Sequence, residues 1–328
     1  MALSPDQIKV RLTGVTASEV AVILGVAPAS WDTCELDLWS QKVGLELPKN
    51  IDTVDTRRGI RYQRPAIDDA AEREEWEVVH EGDSPLVDLG TRGTIRHPRH
   101  ELILATPDFL VTNGEPGCGE CKCPRSGATW GPPGTHLIPA YYLPQVTIQA
   151  SVLDLDRIEV VGWWYGEPHV YHLRRNCHLE AAIISRLEEW WELYVIPQRP
   201  PPVRDGRDAT AKWLDRHYHK HTTNSMRGAT SDEIELASRL AEIAEIESPL
   251  KAEADRIKNQ LKSRIGAAEG IVIDFGKITW RKAKDREVLD AVEAEKWIRD
   301  HNGGELPLGL TKVVPGGRRF LSSFKKEM

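Results

Sequence analysis

The stretch that most constrains the fold runs from Ala105 to Pro124. Ala105-Thr106-Pro107-Asp108-Phe109-Leu110 and Gly119-Glu120-Cys121-Lys122-Cys123-Pro124 read as two short strands of a hairpin-like pair. Leu102, Ile103 and Leu104 lead into the first strand, and the turn-forming run Asn113-Gly114-Glu115-Pro116-Gly117 separates the two. Side chains alternate along a strand, so Glu120 and Lys122 share one face while Cys121 and Cys123 share the other. Asp108, read as the end of the first strand, comes beside Glu120. Two carboxylates with an ammonium one pleat away make a site for a hard divalent cation, Mg²⁺ or Mn²⁺. The same residues also suit a surface hairpin with an ordinary Glu/Lys pair, and the motif alone does not choose.

With 328 residues the chain has room for one large domain and a smaller one. A hydrophobic content of 40% and a charged content of 28% are those of an ordinary globular protein. The sequence has no apolar run of about 18 residues, and Met1 to Asp6 lacks the basic-then-apolar pattern of a signal peptide, so no membrane and a cytoplasmic location are expected. Five cysteines, an odd number, fit a reducing compartment better than a disulfide framework. The net charge of −7 excludes a uniformly basic nucleic-acid binder. It leaves open a protein with acids at a metal centre and local basic clusters around it.

Near the start, Thr16 is placed to cap a helix running through Val22, Ile23 and Leu24, with Glu19 three residues on as its capping-box partner. Ser18 then sits in the first turn among free N–H groups, a place for a phosphate that Arg11 can clamp; a plain capped helix is the other reading. A second helix, from Asp37 to Val43, ends at Gly44. A third starts near Arg57 and continues to about Glu75; its arginines and Gln63 face either DNA or solvent. Gln145 and Gln149 share one face of a helix that follows Pro144. Strands are expected at 157–165 and 169–174, joined by Gly166-Glu167-Pro168, then a helix over 179–195. Pro197-Gln198-Arg199-Pro200-Pro201-Pro202 marks a boundary. Beyond it, a short helix spans Asp208 to Tyr218, and a long one starts at Thr230. The long helix carries a heptad-like stripe of Leu236, Leu240, Ile243, Leu250, Ala254, Ile257 and Leu261, broken at Glu247 and bent at Pro249. A hairpin over 271–281 and a last strand ending at Arg318-Arg319-Phe320 complete the chain.

Taken in order, Arg11 with Thr16 to Val20, Gly59 to Gln63, Pro107-Asp108, Glu120 to Pro124, and Tyr142 with Gln145 resemble the phage lambda exonuclease and YqaJ-like viral recombinase family. The Pro-Asp and Glu-x-Lys elements are similar to the PD-(D/E)XK nuclease signature. The resemblance implies an α/β restriction-endonuclease-like core, a central mixed sheet flanked by helices, over residues 1–203. Residues 204–328 then form a C-terminal extension with the long helix, hairpin and basic tail.

The implied activity is Mg²⁺-dependent 5′→3′ digestion of duplex DNA from an end, with Mn²⁺ as a substitute ion. Asp108, Glu120 and the backbone carbonyl of Cys121 are implied metal ligands. Lys122 is implied to position or deprotonate the water, Gln145 to support Lys122 or the phosphate, and Arg11 and Ser18 to hold the 5′-phosphate. Implied partners are DNA ends, a single-strand annealing protein, and further copies of the chain in a homo-oligomer such as a ring trimer. The family usually has Glu where this chain has Gln63, whose amide oxygen can ligate a metal but brings no charge; Glu72, Glu74 or Glu75 are possible substitutes. Cys118, Cys121 and Cys123 also admit an iron–sulfur reading. The alternatives are an endonuclease of the same fold, and a DNA-end-binding protein whose nuclease site is weakened at Gln63.

Overall fold

The computed structural model describes residues 5–48, 53–80, 94–220, 223, 225–283 and 291–301. They divide into two compact units, 1–218 and 219–328.

The first unit opens with α1 (Pro5–Leu12) and β1 (Val15–Thr16), then a single 3-10 turn (Ala17–Glu19) that runs into α2 (Val20–Ile23). The capping box at Thr16 and Glu19 is present, but the helix expected behind it is only this turn and four residues. α3 (Glu35–Lys42) follows, then α4 (Val54–Glu74). α4 starts three residues earlier than the arginine run suggests, because Thr53 caps it by accepting a bond from the Thr56 N–H. Short strands come next: β2 (Val78–His80), β3 (Ile95–Arg96), β4 (Ile103–Ala105), β5 (Phe109–Val111) and β6 (Gly117–Lys122). Then come α5 (Leu143–Leu153), β7 (Arg157–Trp164), β8 (Glu167–Arg174), α6 (Cys177–Trp190) with a π turn to Val195, and α7 (Asp208–His217).

The main sheet has the order β2-β5-β6-β7-β8, antiparallel except for the parallel pair β6–β7, whose connection is α5. Apolar residues cover both of its faces. Ala66, Ile67 and Ala70 of α4 pack with Phe109, Val111, Cys121, Val161 and Val170. On the opposite face, Val146 and Ala150 of α5 pack with Cys118, Ile158, Val160, Tyr171 and Leu173. This is the helix-flanked mixed sheet expected from the sequence. It is continuous on both faces because β6 is central and its first five residues are buried. At Gly119 the register requires glycine: it stands opposite Phe109, and a Cβ there would come 2.1 Å from that ring. The β7–β8 turn is tighter than the sequence suggests. Tyr165 and Gly166 both take positive φ (56° and 87°), the backbone of a two-residue hairpin, and Pro168 joins edge strand β8.

The hairpin-like pair itself is corrected by the topology. Ile103 to Ala105 do not lead into β5; as β4 they belong to a second sheet of order β1-β4-β3, parallel to β1 and antiparallel to β3. Thr106-Pro107 leaves that sheet, and Asp108 stands just before β5 rather than at the end of a strand. Short apolar runs carry no signal for which sheet they join, which is why the two strands read as one.

α7 lies beyond the Pro-rich boundary yet packs in the first unit. Trp213 Nε1 donates to Ser40 Oγ at 2.8 Å and Arg216 bonds Asp37 at 2.7 Å, both partners being in α3. The second unit holds α8 (Ser231–Ile265), the hairpin β9 (Gly270–Ile273) and β10 (Gly276–Thr279), and α9 (Ala291–His301). The expected last strand at 318–320 lies outside the described residues. Among the described residues no helix is long and apolar enough to cross a membrane.

Candidate active site

Asp108 stands just before β5 and Glu120 on the neighbouring β6, and each is fixed by a different kind of partner. The Asp108 carboxylate accepts the backbone N–H of Cys121 at 2.8 Å, while its own N–H donates to Gly119 O at 3.0 Å. Asp108 is thus laced to β6 one residue past Glu120. Glu120 is buried, 4% exposed, and every donor around it is a side chain. Lys122 Nζ (2.5 Å) and Gln145 Nε2 (2.7 Å) donate to Oε1, and Gln149 Nε2 (2.6 Å) donates to Oε2. The two glutamines arrive together because α5 presents positions four apart on one face.

The alternation along β6 holds as read: Glu120 and Lys122 turn towards α5, and Cys121 and Cys123 turn towards α4. Gln145 joins Lys122 as expected, accepting its ammonium at 3.0 Å. Two members of the network were not among the expected site residues. Gln149 completes the clamp on Glu120; its signal was the four-residue spacing from Gln145. Tyr142 places its ring 5.0 Å from Lys122 Nζ. Burial pushes the Tyr142 phenol up to about 12, against the opposing effect of Lys122.

Burial would lower the Lys122 pKa, but the charges of Glu120 and Asp108 outweigh it and leave the pKa raised. The lysine therefore stands as a firm cation between two carboxylates.

Gln63 is half-buried on α4, one turn before Ala66 and Ile67 and on the same stripe that meets the sheet. The three glutamates considered in its place are exposed. Glu72 lies on the opposite side of the helix, nine residues on. Glu74 returns to the stripe but about 16 Å further along the axis. Arg58 is tied to the residue that follows β6: its guanidinium donates twice to Cys123 O, at 3.0 and 2.8 Å.

A hard cation fits these donors. Among the described residues no group of three or more His, Cys, Asp or Glu side chains converges. The chain's own ligands would be the Asp108 and Glu120 carboxylates, the Cys121 carbonyl and, from α4, the Gln63 amide. Few carboxylates, with substrate oxygens and water supplying the rest, is how Mg²⁺ is commonly held. The iron–sulfur reading fails on geometry: Cys118 packs under α5 while Cys121 packs under α4, because an odd spacing puts them on opposite faces.

The Arg11 cluster lies in the same unit. Arg11 Nη2 donates to Thr16 Oγ1 at 3.0 Å and to Ser18 Oγ at 2.9 Å, and the two hydroxyls lie 3.2 Å apart. With only a 3-10 turn and a four-residue helix behind Ser18, the helix dipole contributes little here. An anion at this turn would meet the guanidinium and the two hydroxyls rather than a helix dipole. Beneath them Glu19 accepts the Thr16 N–H at 2.9 Å and receives Lys42 Nζ on both oxygens.

Comparison with known proteins gives the class first. Residues 7–156 match the family model of the YqaJ-like viral recombinase domain, the family that the motifs resemble. Among curated relatives, the chain is 24% identical over 307 residues to the uncharacterized protein YqaJ of Bacillus subtilis (strain 168), covering 88% of this chain and 90% of that one. Among solved structures it is similar to the alkaline exonuclease LHK-Exo of Laribacter hongkongensis, at 19% identity and a TM-score of 0.45, covering 65% of this chain and 97% of that chain. It is also similar to a phage-related exonuclease from Haemophilus somnus 129PT, at 12% identity and a TM-score of 0.39, covering 56% of this chain and 96% of that chain.

Proposed function

We propose that this chain is a metal-dependent exonuclease of phage-type recombination, digesting duplex DNA 5′→3′ from an end. The remaining 3′ strand is left for a single-strand annealing partner, and the working form is a homo-oligomer such as a ring trimer. The observation that carries the reading is the Asp108–Glu120–Lys122 arrangement: two fixed carboxylates, one held by the Cys121 N–H and the other by a half-buried ammonium. The family match over residues 7–156 supports it.

Bound Mg²⁺, or Mn²⁺ in its place, would supply charge stabilisation at the attacking and leaving oxygens of the phosphodiester. The chain's part is positional. The Cys121 N–H holds the Asp108 carboxylate in one rotamer, and Gln145 and Gln149 do the same for Glu120. Lys122, cationic and set over Tyr142, orients the nucleophilic water and meets the growing negative charge on the phosphate. Arg11 and Ser18 take a terminal 5′-phosphate, which selects ends over internal sites.

Digestion of a 5′-phosphorylated linear duplex with Mg²⁺, beside a covalently closed circle, tests the proposal. Mononucleotides from the linear substrate with intact circles are expected. Cut circles would make the chain an endonuclease, and end binding without metal-dependent release would make it the end-binding protein that Gln63 allows.

A further inference from the structure

α8 is a helix of 35 residues, about 52 Å long at 1.5 Å per residue, and its apolar stripe is unpartnered among the described residues. Leu236, Leu240, Ile243, Leu250 and Ile257 are between 37% and 71% exposed. Their spacing, continued by Ala254 and Leu261, alternates four and three without a slip over more than three heptads, the seam of a coiled coil. Stripes this long in water call for a second helix.

Charge identifies which one. Residues 231–248 hold six acidic side chains against Arg239, and residues 249–265 hold five basic ones against two acidic. Favourable dipole interactions explain opposite charges only in the first and last turns, and this asymmetry runs through the middle. Pairs within the helix, Arg239–Glu242, Arg256–Glu253 and Lys258–Asp255, leave the surplus acidic in one half and basic in the other. Such a helix complements a copy of itself running the opposite way.

We propose that α8 is a self-association element that pairs antiparallel with α8 of a second copy of this chain. In the symmetric register Leu236 meets the partner's Leu261, Leu240 meets the partner's Ile257, and Ile243 meets the partner's Ala254. Glu247, the break in the stripe, meets the partner's Leu250 with the partner's Lys251 beside it. A parallel pair would instead stack Glu247 on its own copy in the seam, a like-charge contact that disfavours that orientation. Pro249 fits the same register. It lies inside the helix, where it bends the axis, and the dyad falls between residues 248 and 249, so the two bends coincide. The assignment stands on α8 alone and is independent of the proposed nuclease activity.

Sedimentation of the full-length chain at micromolar concentration tests it. Wild type is expected to sediment as an even-numbered assembly, a dimer or, where α8 joins two ring trimers, a hexamer, and Ile243→Asp to weaken association at least tenfold and halve the assembly. Orientation is read separately. Mixed Ile243→Cys and Ala254→Cys chains, oxidised in air, should form a covalent dimer joining the two variants. Neither variant alone should exceed the wild-type control, which accounts for the exposed Cys177. A monomeric wild type, an assembly unmoved by Ile243→Asp, or Ile243→Cys chains linking to themselves would each overturn the proposal.

Discussion

Among the described residues of the first unit two lysine–glutamate pairs stand out, and their surroundings make them opposites. Lys42 is sealed, its side chain 1% exposed, and its ammonium meets three oxygens: both of Glu19 and the carbonyl of Arg11 at 2.7 Å. Lys122 is 21% exposed and meets one oxygen each from Glu120 and Gln145. Burial lowers the Lys42 pKa, and Glu19 only partly opposes it because Arg11 adds a second positive charge. Burial acts in the same direction at Lys122, but Asp108 adds a second negative charge and the balance reverses. On the carboxylate side, burial raises Glu19, and the two cations outweigh it to leave its pKa lowered. A pair with a surplus cation, closed to solvent, is a structural clamp. A pair with a surplus anion, open at one side, has the charge and the access that a divalent ion would need. The residue types are identical; the third charge and the opening distinguish them.

Asp108→Ala and Glu120→Ala break this contrast most severely. Each is expected to lower Mg²⁺-dependent digestion by about a thousandfold or more, roughly 4 kcal/mol in the barrier, with DNA binding and the folding midpoint nearly kept. Residual activity within a few-fold of wild type would mean that the Lys122 pair is only another clamp.

Lys42→Met and Lys122→Met compare the pairs directly. Lys42→Met leaves Glu19 buried without its ammonium and is expected to destabilise the first unit by about 3–5 kcal/mol in denaturant unfolding. Lys122→Met leaves Glu120 its two glutamine donors, so its stability loss should be much smaller while kcat falls by about 10²–10³ with little change in KM. Equal stability losses, with activity following the folded fraction, would erase the distinction.

Arg11→Ala tests what lies above the clamp. Lys42 uses the Arg11 carbonyl rather than its side chain, so the clamp survives the substitution. Wild type is expected to prefer 5′-phosphorylated over 5′-hydroxyl ends by about tenfold, the lower end of a charge-assisted bond worth about 1.5–3 kcal/mol. Arg11→Ala should remove most of that preference and spare the hydroxyl-ended substrate. Equal wild-type rates on both ends would leave the cluster a purely structural one.

Gln63→Glu is the smallest change. Adding a carboxylate on the stripe of α4 that meets the sheet should lower the Mg²⁺ concentration for half-maximal rate by a few-fold. A midpoint that does not move would place Gln63 outside the metal's reach.

Much of this site is local and therefore legible in sequence. Strand alternation put Glu120 and Lys122 together, helical spacing put Gln145 beside Gln149, and the Thr16–Glu19 capping box is a four-residue motif. All three follow from fixed backbone periods that hold whatever surrounds the element. The pairing of Lys42 with Glu19 had no such marker. It joins helix α3 to a turn 23 residues earlier, and a lone lysine in a helix reads the same whether it is buried or solvated.

By itself, then, the sequence determined which side chains share a face of β6 and of α5, and the heptad-like stripe of α8 with its break at Glu247. Only the tertiary structure decided that β4 belongs to a different sheet from β5, that Gly119 stands against Phe109, that α7 returns to the first unit through Trp213 and Arg216, and that one lysine–glutamate pair is sealed while the other is open. The reason is range. Periodicity and capping are set by neighbours within a turn or a pleat, whereas sheet membership, burial and the sign of a third charge depend on residues brought together from distant parts of the chain.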